Sequence, residues 1–319
     1  AEMVKILGGL GIEVKSGKAS IPTWRHDISM GADLAEEVLR IHGYDNIPMA
    51  SLPKIENVSK SALSNAQSRL TTLRRAAATR GLHEAVSWGF VSEAQAKAFG
   101  GQKEELTLLN PISSDLSIMR PSLLPHLIDA VKRNAARGQT SIALFEAGAT
   151  FQDITPKGQS TVVTGVRAGL KHGLSHLGSP KADVFDVKGD VFALLEAAGY
   201  DAGKLTVTRN IPAWYHPGRA GAITMGKNVL AVFGEIHPAT LKALDCDHAV
   251  MAFELFVDAI PLPKAAKRKA LTVSDFQAVT RDFAFVLDEK TAAQELIAAV
   301  NKAEKTLIRD VAIFDVYQG

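Results

Sequence analysis

Short apolar segments of strand length recur from residue 142 to residue 257, and this pattern restricts the fold more than any other feature of the sequence. One helical segment, around Asp190 to Ala198, interrupts them. Helices interspersed with mostly antiparallel strands are typical of the α+β class. The sequence therefore predicts an antiparallel sheet with helices, with strands at residues 142–151, 162–170, 205–209, 220–225, 229–234 and 249–257.

Helices are also predicted on the amino-terminal side of these strands. Asp33 opens one helix, and Glu36 three positions later completes a capping box. A longer helix is predicted at residues 59–80, because leucines and alanines recur at steps of three and four before Gly81. It carries five cations and no acidic residue, which favours a solvated face over a nucleic-acid contact. The remaining predicted elements are a strand, a turn and a strand at residues 11–21 and a helix after Pro121.

Two proline-containing segments lack both helical and strand periodicity, which predicts linkers. They span residues 49–59 and 263–272, and the second carries a basic run. Beyond it we predict a β-α-β unit, with strands at 282–287 and 307–317 around a helix at 291–302. Such a unit is too small to bury a sheet, so we expect the last domain to be incomplete. The predicted domains are a small module at 1–48, a core at 60–262 and a truncated domain at 273–319.

The composition restricts the function classes. Thirty-six basic and 34 acidic residues among 319 give a net charge of +2, which is too small for a protein that coats nucleic acid indiscriminately. No stretch reaches the roughly 18 uninterrupted apolar residues of a membrane helix. The single cysteine, Cys246, excludes an internal disulfide and a cysteine-cluster metal site. We therefore expect a cytoplasmic protein whose contacts with any nucleic acid are local.

Four carboxylates within eleven positions are the strongest candidate for a binding site: Asp27, Asp33, Glu36 and Glu37. Acidic side chains at a helix N-terminus are stabilising without a ligand, and Arg40 can pair with Glu36 or Glu37 on the next turn. Capping needs only two of the four, however, and the other carboxylates repel each other unless a hard cation such as Mg²⁺ neutralises them. From spacing alone, both interpretations stay open.

Signals for other kinds of chemistry are weak. The nine histidines follow no metal-ligand spacing, and the turn-forming contexts of His216 and His237 favour structural roles over zinc ligation. The sequence has no nucleophile elbow, phosphate-binding P-loop or dinucleotide-binding glycine pattern. A self-contained enzyme is therefore hard to derive from these residues.

Several separated motifs, in the correct order, resemble the beta subunit of bacterial phenylalanyl-tRNA synthetase. The motifs that resemble its metal-bearing module are PTWRHD (22–27), DLAEEV (33–38) and HGYDNIP (42–48). Those that resemble its core are NPISSD (110–115), MRPSLL (119–124), LFEAG (144–148), FDVKG (185–189), HPGR (216–219) and GEIHP (234–238). The motifs TRDFA (280–284) and FDVY (314–317) resemble the start of its ferredoxin-fold anticodon-binding domain. Together they span essentially the whole chain.

The resemblance implies a fold and a set of residue roles. The four clustered carboxylates match the family's magnesium ligands, which the beta subunit shares with the alpha subunit. The core is similar to a class II aminoacyl-tRNA synthetase domain, in a degenerate copy that performs no catalysis. Class II sites hold ATP with an arginine just after the strand that residues 145–151 resemble, and here Gln152 takes that place. ATP, a substrate of the whole enzyme, is therefore not expected to bind this chain.

The resemblance also implies partners. The family's enzyme is a heterotetramer of two alpha and two beta subunits that attaches phenylalanine to tRNA(Phe). In it, the helix at 59–80 resembles a region that forms subunit interfaces, so its apolar stripe is expected to bury against another helix. The linker cations can guide tRNA, although a solvated basic linker fits them equally well; these cations are Lys264, Lys267, Arg268 and Lys269.

The family's oligonucleotide-binding fold and editing domain have no counterpart in the sequence. We therefore expect a fragment that is inactive in isolation and that docks the catalytic alpha subunit. Two alternatives stay open: an autonomous class II-like ligase with a divergent site, and a free-standing RNA-binding module.

Overall fold

A computed structural model of the chain describes residues 1–52, 61–101, 103–176, 178–201, 203, 205–262 and 273–317. The chain divides into two compact units, Ala1–Pro261 and Leu262–Gly319. Within the described residues, no helix is long and apolar enough to cross a membrane. Most of the predicted linker at 49–59 and all of that at 263–272 lie outside the described residues, as do the four linker cations.

The amino-terminal part of the larger unit is a small module. Its elements are α1 (Glu2–Gly9), β1 (Glu13–Lys15), β2 (Lys18–Ser20) and α2 (Gly31–His42). Ser16 and Gly17 connect the two antiparallel strands with φ angles of 48° and 77°, the backbone geometry of a tight two-residue hairpin. Leu7, Ile12 and Ile28 are buried together and form the core of the module. The predicted hairpin is confirmed.

A seven-stranded mixed sheet lies at the centre of the larger unit. The remaining strands of this unit are β3 (His83–Glu84), β4 (Phe90–Val91), β5 (Ile118–Met119), β6 (Ser141–Phe151), β7 (Gln159–Gly169), β8 (Thr206–Thr208), β9 (Tyr215–Met225), β10 (Asn228–Ile236) and β11 (Val250–Phe256). The order in the sheet is β3-β6-β7-β11-β10-β9-β8, and β4 pairs separately with β5. All neighbours in the large sheet are antiparallel except β3 and β6. The predicted α+β class is confirmed, with one parallel pair that the sequence did not predict.

Helices cover both faces of this sheet. They are α3 (Asn65–Thr79), α4 (Glu93–Ala98), α5 (Leu124–Ala136), α6 (Val184–Ala197) and α7 (Pro238–Ala243). On one face, Leu73 of α3 and Val191 of α6 belong to the same buried cluster as Phe253 of β11. On the other face, Leu127 of α5 is buried with Ala252 of β11. Successive side chains of a strand point to opposite faces, so β11 supplies both apolar layers.

Helix α3 begins later than its periodicity predicts. Residues 61–64 are not helical, and Oγ of Ser64 accepts the N–H of Gln67 at 3.2 Å, which caps the helix. The predicted start at 59 is therefore wrong for the residues that the structure describes. Leu73 and Ala77 pack on α6 in this chain's own core, so the buried part of the apolar stripe is not available to another subunit. Leu63 lies before the helix and is 51% exposed.

Strand β9 begins five residues before the predicted position, at Tyr215. The sequence from His216 to Arg219 contains a proline and a glycine and predicts a turn. The strand continues because the register between β9 and β10 shifts between Gly234 and Ile236. Gly234 adopts a φ of 150°, a conformation that other residues rarely adopt, so a glycine accommodates the irregularity.

The smaller unit contains helix α8 (Ala293–Ala303), which confirms the helix predicted at 291–302. The two strands predicted beside it, at 282–287 and 307–317, are wrong: none of residues 273–317 is in a strand. Extended backbone becomes a strand only beside a neighbour that shares its hydrogen bonds, and in a split β-α-β unit another strand lies between the two. Phe283 and Phe314 are accordingly 72% and 76% exposed.

Candidate functional site

The four predicted metal ligands lie in the small module, on α2 and on the loop before it. The prediction that Asp33 opens α2 is wrong: the helix begins at Gly31, and Asp33 occupies its third position. Its Oδ2 accepts the backbone N–H of Ser29 at 2.7 Å and that of Met30 at 2.8 Å. The predicted capping pair of Asp33 and Glu36 is therefore wrong, and Asp33 itself caps the helix from inside its first turn.

Arg25 lies between two of the other carboxylates. Its Nε and Nη2 donate to Asp27 Oδ1 at 2.9 Å and Oδ2 at 2.5 Å. Its Nη2 and Nη1 also donate to Glu37 Oε1 at 3.0 Å and Oε2 at 3.3 Å. Arg40 Nη2 donates to Glu37 Oε2 at 2.7 Å, which confirms one of the two pairings predicted for Arg40. Both oxygens of Asp27 and of Glu37 thus accept hydrogen bonds from guanidinium groups.

These contacts keep the carboxylates ionised. Hydrogen bonds from Arg25 lower the pKa of Asp27 to about 2. Hydrogen bonds from Arg25, followed by those from Arg40, lower the pKa of Glu37 to about 2. The backbone N–H groups of Ser29 and Met30 lower the pKa of Asp33. The guanidinium groups of Arg25 and Arg40 therefore balance two of the four negative charges, and backbone N–H groups stabilise the carboxylate of Asp33.

The present arrangement does not fit a magnesium ion. Mg²⁺ requires near-octahedral oxygen ligands that are free to face the ion. Glu36 is exposed, whereas Asp27 and Glu37 are engaged by Arg25. Among the described residues, no three His, Cys, Asp or Glu side chains form a group able to hold a metal. The predicted magnesium ligation stays a prediction.

A second polar cluster lies on the sheet face that α5 covers. Glu146 of β6, Thr164 of β7 and Glu254 of β11 are cross-strand neighbours in register, and each is at most 3% exposed. Arg120 Nη1 donates to Glu146 Oε1 at 2.7 Å, and Ser87 Oγ donates to Oε2 at 2.5 Å. The remaining bonds of Arg120 are made to the carbonyl oxygens of Ala149 and Trp88 and to Ser87 Oγ.

Among the described residues, Glu254 has no ion-pair partner, but three hydrogen-bond donors contact it. Ser122 Oγ lies 2.6 Å from its Oε1, while Trp214 Nε1 and the Tyr215 hydroxyl lie 3.2 and 3.3 Å from its Oε2. Burial raises the pKa of the Glu254 carboxyl and, well above its ordinary value, that of the Tyr215 hydroxyl. Thr164 lies between the two glutamates. In the described part of the chain, its Oγ1 is the buried side-chain oxygen that has no hydrogen-bond partner.

Gln152 stands where the resemblance places the ATP-binding arginine of a class II site. Its backbone N–H donates to Gly158 O at 2.7 Å, and Lys103 Nζ donates to its carbonyl oxygen at 2.6 Å. The next residue, Asp153, accepts the hydroxyl and the backbone N–H of Thr155, and these bonds lower its pKa. A neutral amide followed by a carboxylate is unsuited to grip a triphosphate.

The two histidine motifs are structural, as predicted. His216 Nδ1 accepts the N–H of Gly218 at 3.1 Å, and His237 Nδ1 accepts that of Ala239 at 3.0 Å at the start of α7. The two rings stack with centroids 6.1 Å apart. The His216 nitrogen thus bonds to the backbone within β9, and the His237 nitrogen caps α7.

Sequence reasoning missed the roles of Arg120, Glu146 and Glu254. Arg120 and Glu146 lie within the quoted motifs, but no role was derived for them. A carboxylate inside an otherwise apolar strand, as in MAFELF at 251–256, is the signal that was available. Such a residue is almost never buried without a partner. The identity of the partners required the fold.

Family models define the class of the chain as a tRNA synthetase component. The model described as the tRNA synthetase B5 domain matches residues 1–44. The model described as the phenylalanyl tRNA synthetase beta chain CLM domain matches residues 47–257, and that of the ferredoxin-fold anticodon binding domain matches residues 274–319. The chain therefore belongs to the family of phenylalanine–tRNA ligase beta subunits.

Curated relatives agree over the whole chain. The phenylalanine–tRNA ligase beta subunit of Rhodospirillum rubrum is 49% identical over 329 aligned positions that cover 100% of this chain and 41% of the relative. That of Paramagnetospirillum magneticum is 45% identical and covers 99% of this chain and 41% of the relative. The chain thus spans about two fifths of the length of these relatives.

Among solved structures, a pyrrolysyl-tRNA synthetase from Desulfitobacterium hafniense is similar with a TM-score of 0.46 and 14% identity. The similarity covers 60% of this chain and 66% of that structure's chain.

Proposed function

We propose that the chain is a non-catalytic part of a phenylalanine–tRNA ligase, the enzyme that attaches phenylalanine to tRNA(Phe) with ATP. In this proposal the alpha subunit performs catalysis, and the chain supplies subunit interfaces and helps to place the tRNA. One observation supports the proposed absence of catalysis. Arg120 is buried on the α5 face of the sheet, and its guanidinium donates hydrogen bonds to the chain's own atoms. Adenylation needs guanidinium groups free to neutralise phosphate charge, so this face is unsuited to it.

The proposed partners are the alpha subunit, in a heterotetramer of two alpha and two beta chains, and tRNA(Phe). Family membership supports them, and we infer a cytoplasmic location for the same reason. The proposed domains are the module at 1–48, the core at 60–262 and the domain at 273–319, joined by linkers at 49–59 and 263–272. The cations of the second linker remain candidates for a phosphate contact on sequence grounds.

The experiment is a comparison of pyrophosphate exchange. The purified chain is incubated with phenylalanine, ATP and labelled pyrophosphate, and we expect no phenylalanine-dependent exchange above a sample without enzyme. Exchange by the pure chain, together with saturable ATP binding in calorimetry, would instead establish the autonomous ligase with a divergent site.

Partner binding is tested separately. Untagged alpha subunit is mixed with the tagged chain, and the mass of the complex is measured by light scattering coupled to gel filtration. We expect co-elution with the alpha subunit. RNA affinity that is unaffected by the alpha subunit, without co-elution, would favour the free-standing RNA-binding module.

A further inference from the structure

We propose that Arg25 is the resident counter-cation of the small module and that its guanidinium holds the loop before α2 on that helix without a divalent ion. This inference is independent of the proposed function. It follows from the mismatch between the acidic cluster and a magnesium site. The sequence places four carboxylates within eleven positions, and the group that the structure places between two of them, Asp27 and Glu37, is a guanidinium.

The geometry of Arg25 supports this assignment. Its N–H groups form a planar fork, which suits two-point contacts with carboxylates better than a compact cation does. Here the fork reaches both oxygens of Asp27 on the loop and both oxygens of Glu37 on α2. A single side chain thus connects two segments twelve residues apart. The side chain of Glu37 is only 12% exposed, so water screens this contact weakly.

A divalent ion would compete with Arg25 for the same oxygens. Asp33 is already occupied by two backbone N–H groups, and its Oδ2 is the atom they share. With Arg25 in place, Glu36 is the carboxylate of the four for which the structure gives no hydrogen bond or ion pair among the described residues. Glu36 and the Oδ1 of Asp33, for which the described residues supply no hydrogen bond, bind Mg²⁺ weakly, because the ion gives up its water reluctantly. The module is therefore expected to be indifferent to Mg²⁺.

The test compares the wild-type chain with Arg25→Gln, which removes the charge. Arg75→Gln is the matched control, because Arg75 is an exposed arginine on α3 and the substitution changes the net charge equally. Hydrogen–deuterium exchange of peptides from residues 26–42 is measured in EDTA and in MgCl₂, with ionic strength equalised by NaCl. Calorimetric titration with MgCl₂ gives the affinity.

For the wild type and for Arg75→Gln, we expect equal protection of residues 26–42 with and without Mg²⁺. For Arg25→Gln, we expect faster exchange in EDTA, protection regained in MgCl₂, and an affinity for Mg²⁺ higher than wild type by about tenfold or more, since bonds to a charged group no longer compete.

Two results would overturn the proposal. The first is saturable, Mg²⁺-dependent protection of these peptides in the wild type, a measurement that requires no variant to fold. The second is an Arg25→Gln variant whose exchange in EDTA matches the wild type, because Arg25 would then not hold the loop on α2.

Discussion

Substitution of Arg120 by methionine tests whether the buried polar cluster stabilises the sheet face under α5. The side chains of Arg120 and Glu146 are 6% and 4% exposed, and their closest atoms are 2.7 Å apart. Methionine fills much of the volume of arginine but leaves Glu146 buried without its cation. Removal of one partner of a buried ion pair costs about 3–5 kcal/mol. At about 3 °C per kcal/mol, the melting temperature should fall by roughly 10 °C.

The matched control is Arg74→Met, since Arg74 and Glu84 form the same kind of pair with side chains that are 50% and 31% exposed. Water screens that pair, so the expected cost is below about 1 kcal/mol. Both variants are measured by urea unfolding, followed by circular dichroism, and by calorimetry. If Arg120→Met were no less stable than Arg74→Met, the claim that Arg120 is committed to holding this face would be refuted.

Three further substitutions test other parts of the core. Burial raises the pKa of Glu254. The stability that its protonated form contributes is therefore fully present below the ordinary carboxyl pKa of about 4.3 and is lost as the pH rises through the raised value. Glu254→Gln should flatten the dependence of the unfolding free energy on pH, and an unchanged dependence would contradict the raised pKa. A methyl group added by Gly165→Ala would overlap the ring of Phe253, so calorimetry should show an unfolding free energy lower by about 1–3 kcal/mol. The additional substitution Phe253→Leu should make the effect of Gly165→Ala smaller, whereas additive effects of the two substitutions would argue against the contact. Ser64→Ala removes the cap of α3 and should cost about 1 kcal/mol in urea unfolding, whereas an equal cost for Ser68→Ala, within the same helix, would show that capping is not the cause.

The sheet was largely predictable, and its exceptions have local causes. Long apolar runs such as those around β6 and β11 can be buried only in a sheet or a core helix, and their length and branched residues favour strands. The early start of β9 at Tyr215 was hidden because proline and glycine normally indicate a turn. The irregular register beside Gly234 is visible only when β9 and β10 are paired. Pairing also determines whether extended segments of the smaller unit become strands. Apolar patterning alone predicts strands there, but these segments have no hydrogen-bonded neighbour among residues 273–317.

The candidate sites were predictable only in part, because their partners are distant in sequence. Spacing identified the four carboxylates, and Arg25 lies two residues before Asp27. The contact of Arg25 with Glu37, however, requires the loop to fold back on α2 over twelve positions. The contact between Ser122 and Glu254 joins residues 132 positions apart. No periodicity carries that information, so the hydrogen-bonding partners of both clusters had to come from the fold.

The two buried glutamates bear on the proposal that the α5 face binds no nucleotide. Glu146 is matched by Arg120, so that pair contributes no net positive charge. Glu254 has no cationic partner in the part of the chain that the structure describes, and burial favours its neutral form. Taken together, the cluster is close to electrically neutral and its donors are directed at the chain's own oxygens. We therefore expect that Gln152→Arg alone would leave the face unable to bind a triphosphate, because a second cation would still have to be released from Glu146 at the cost of a buried, unpaired carboxylate.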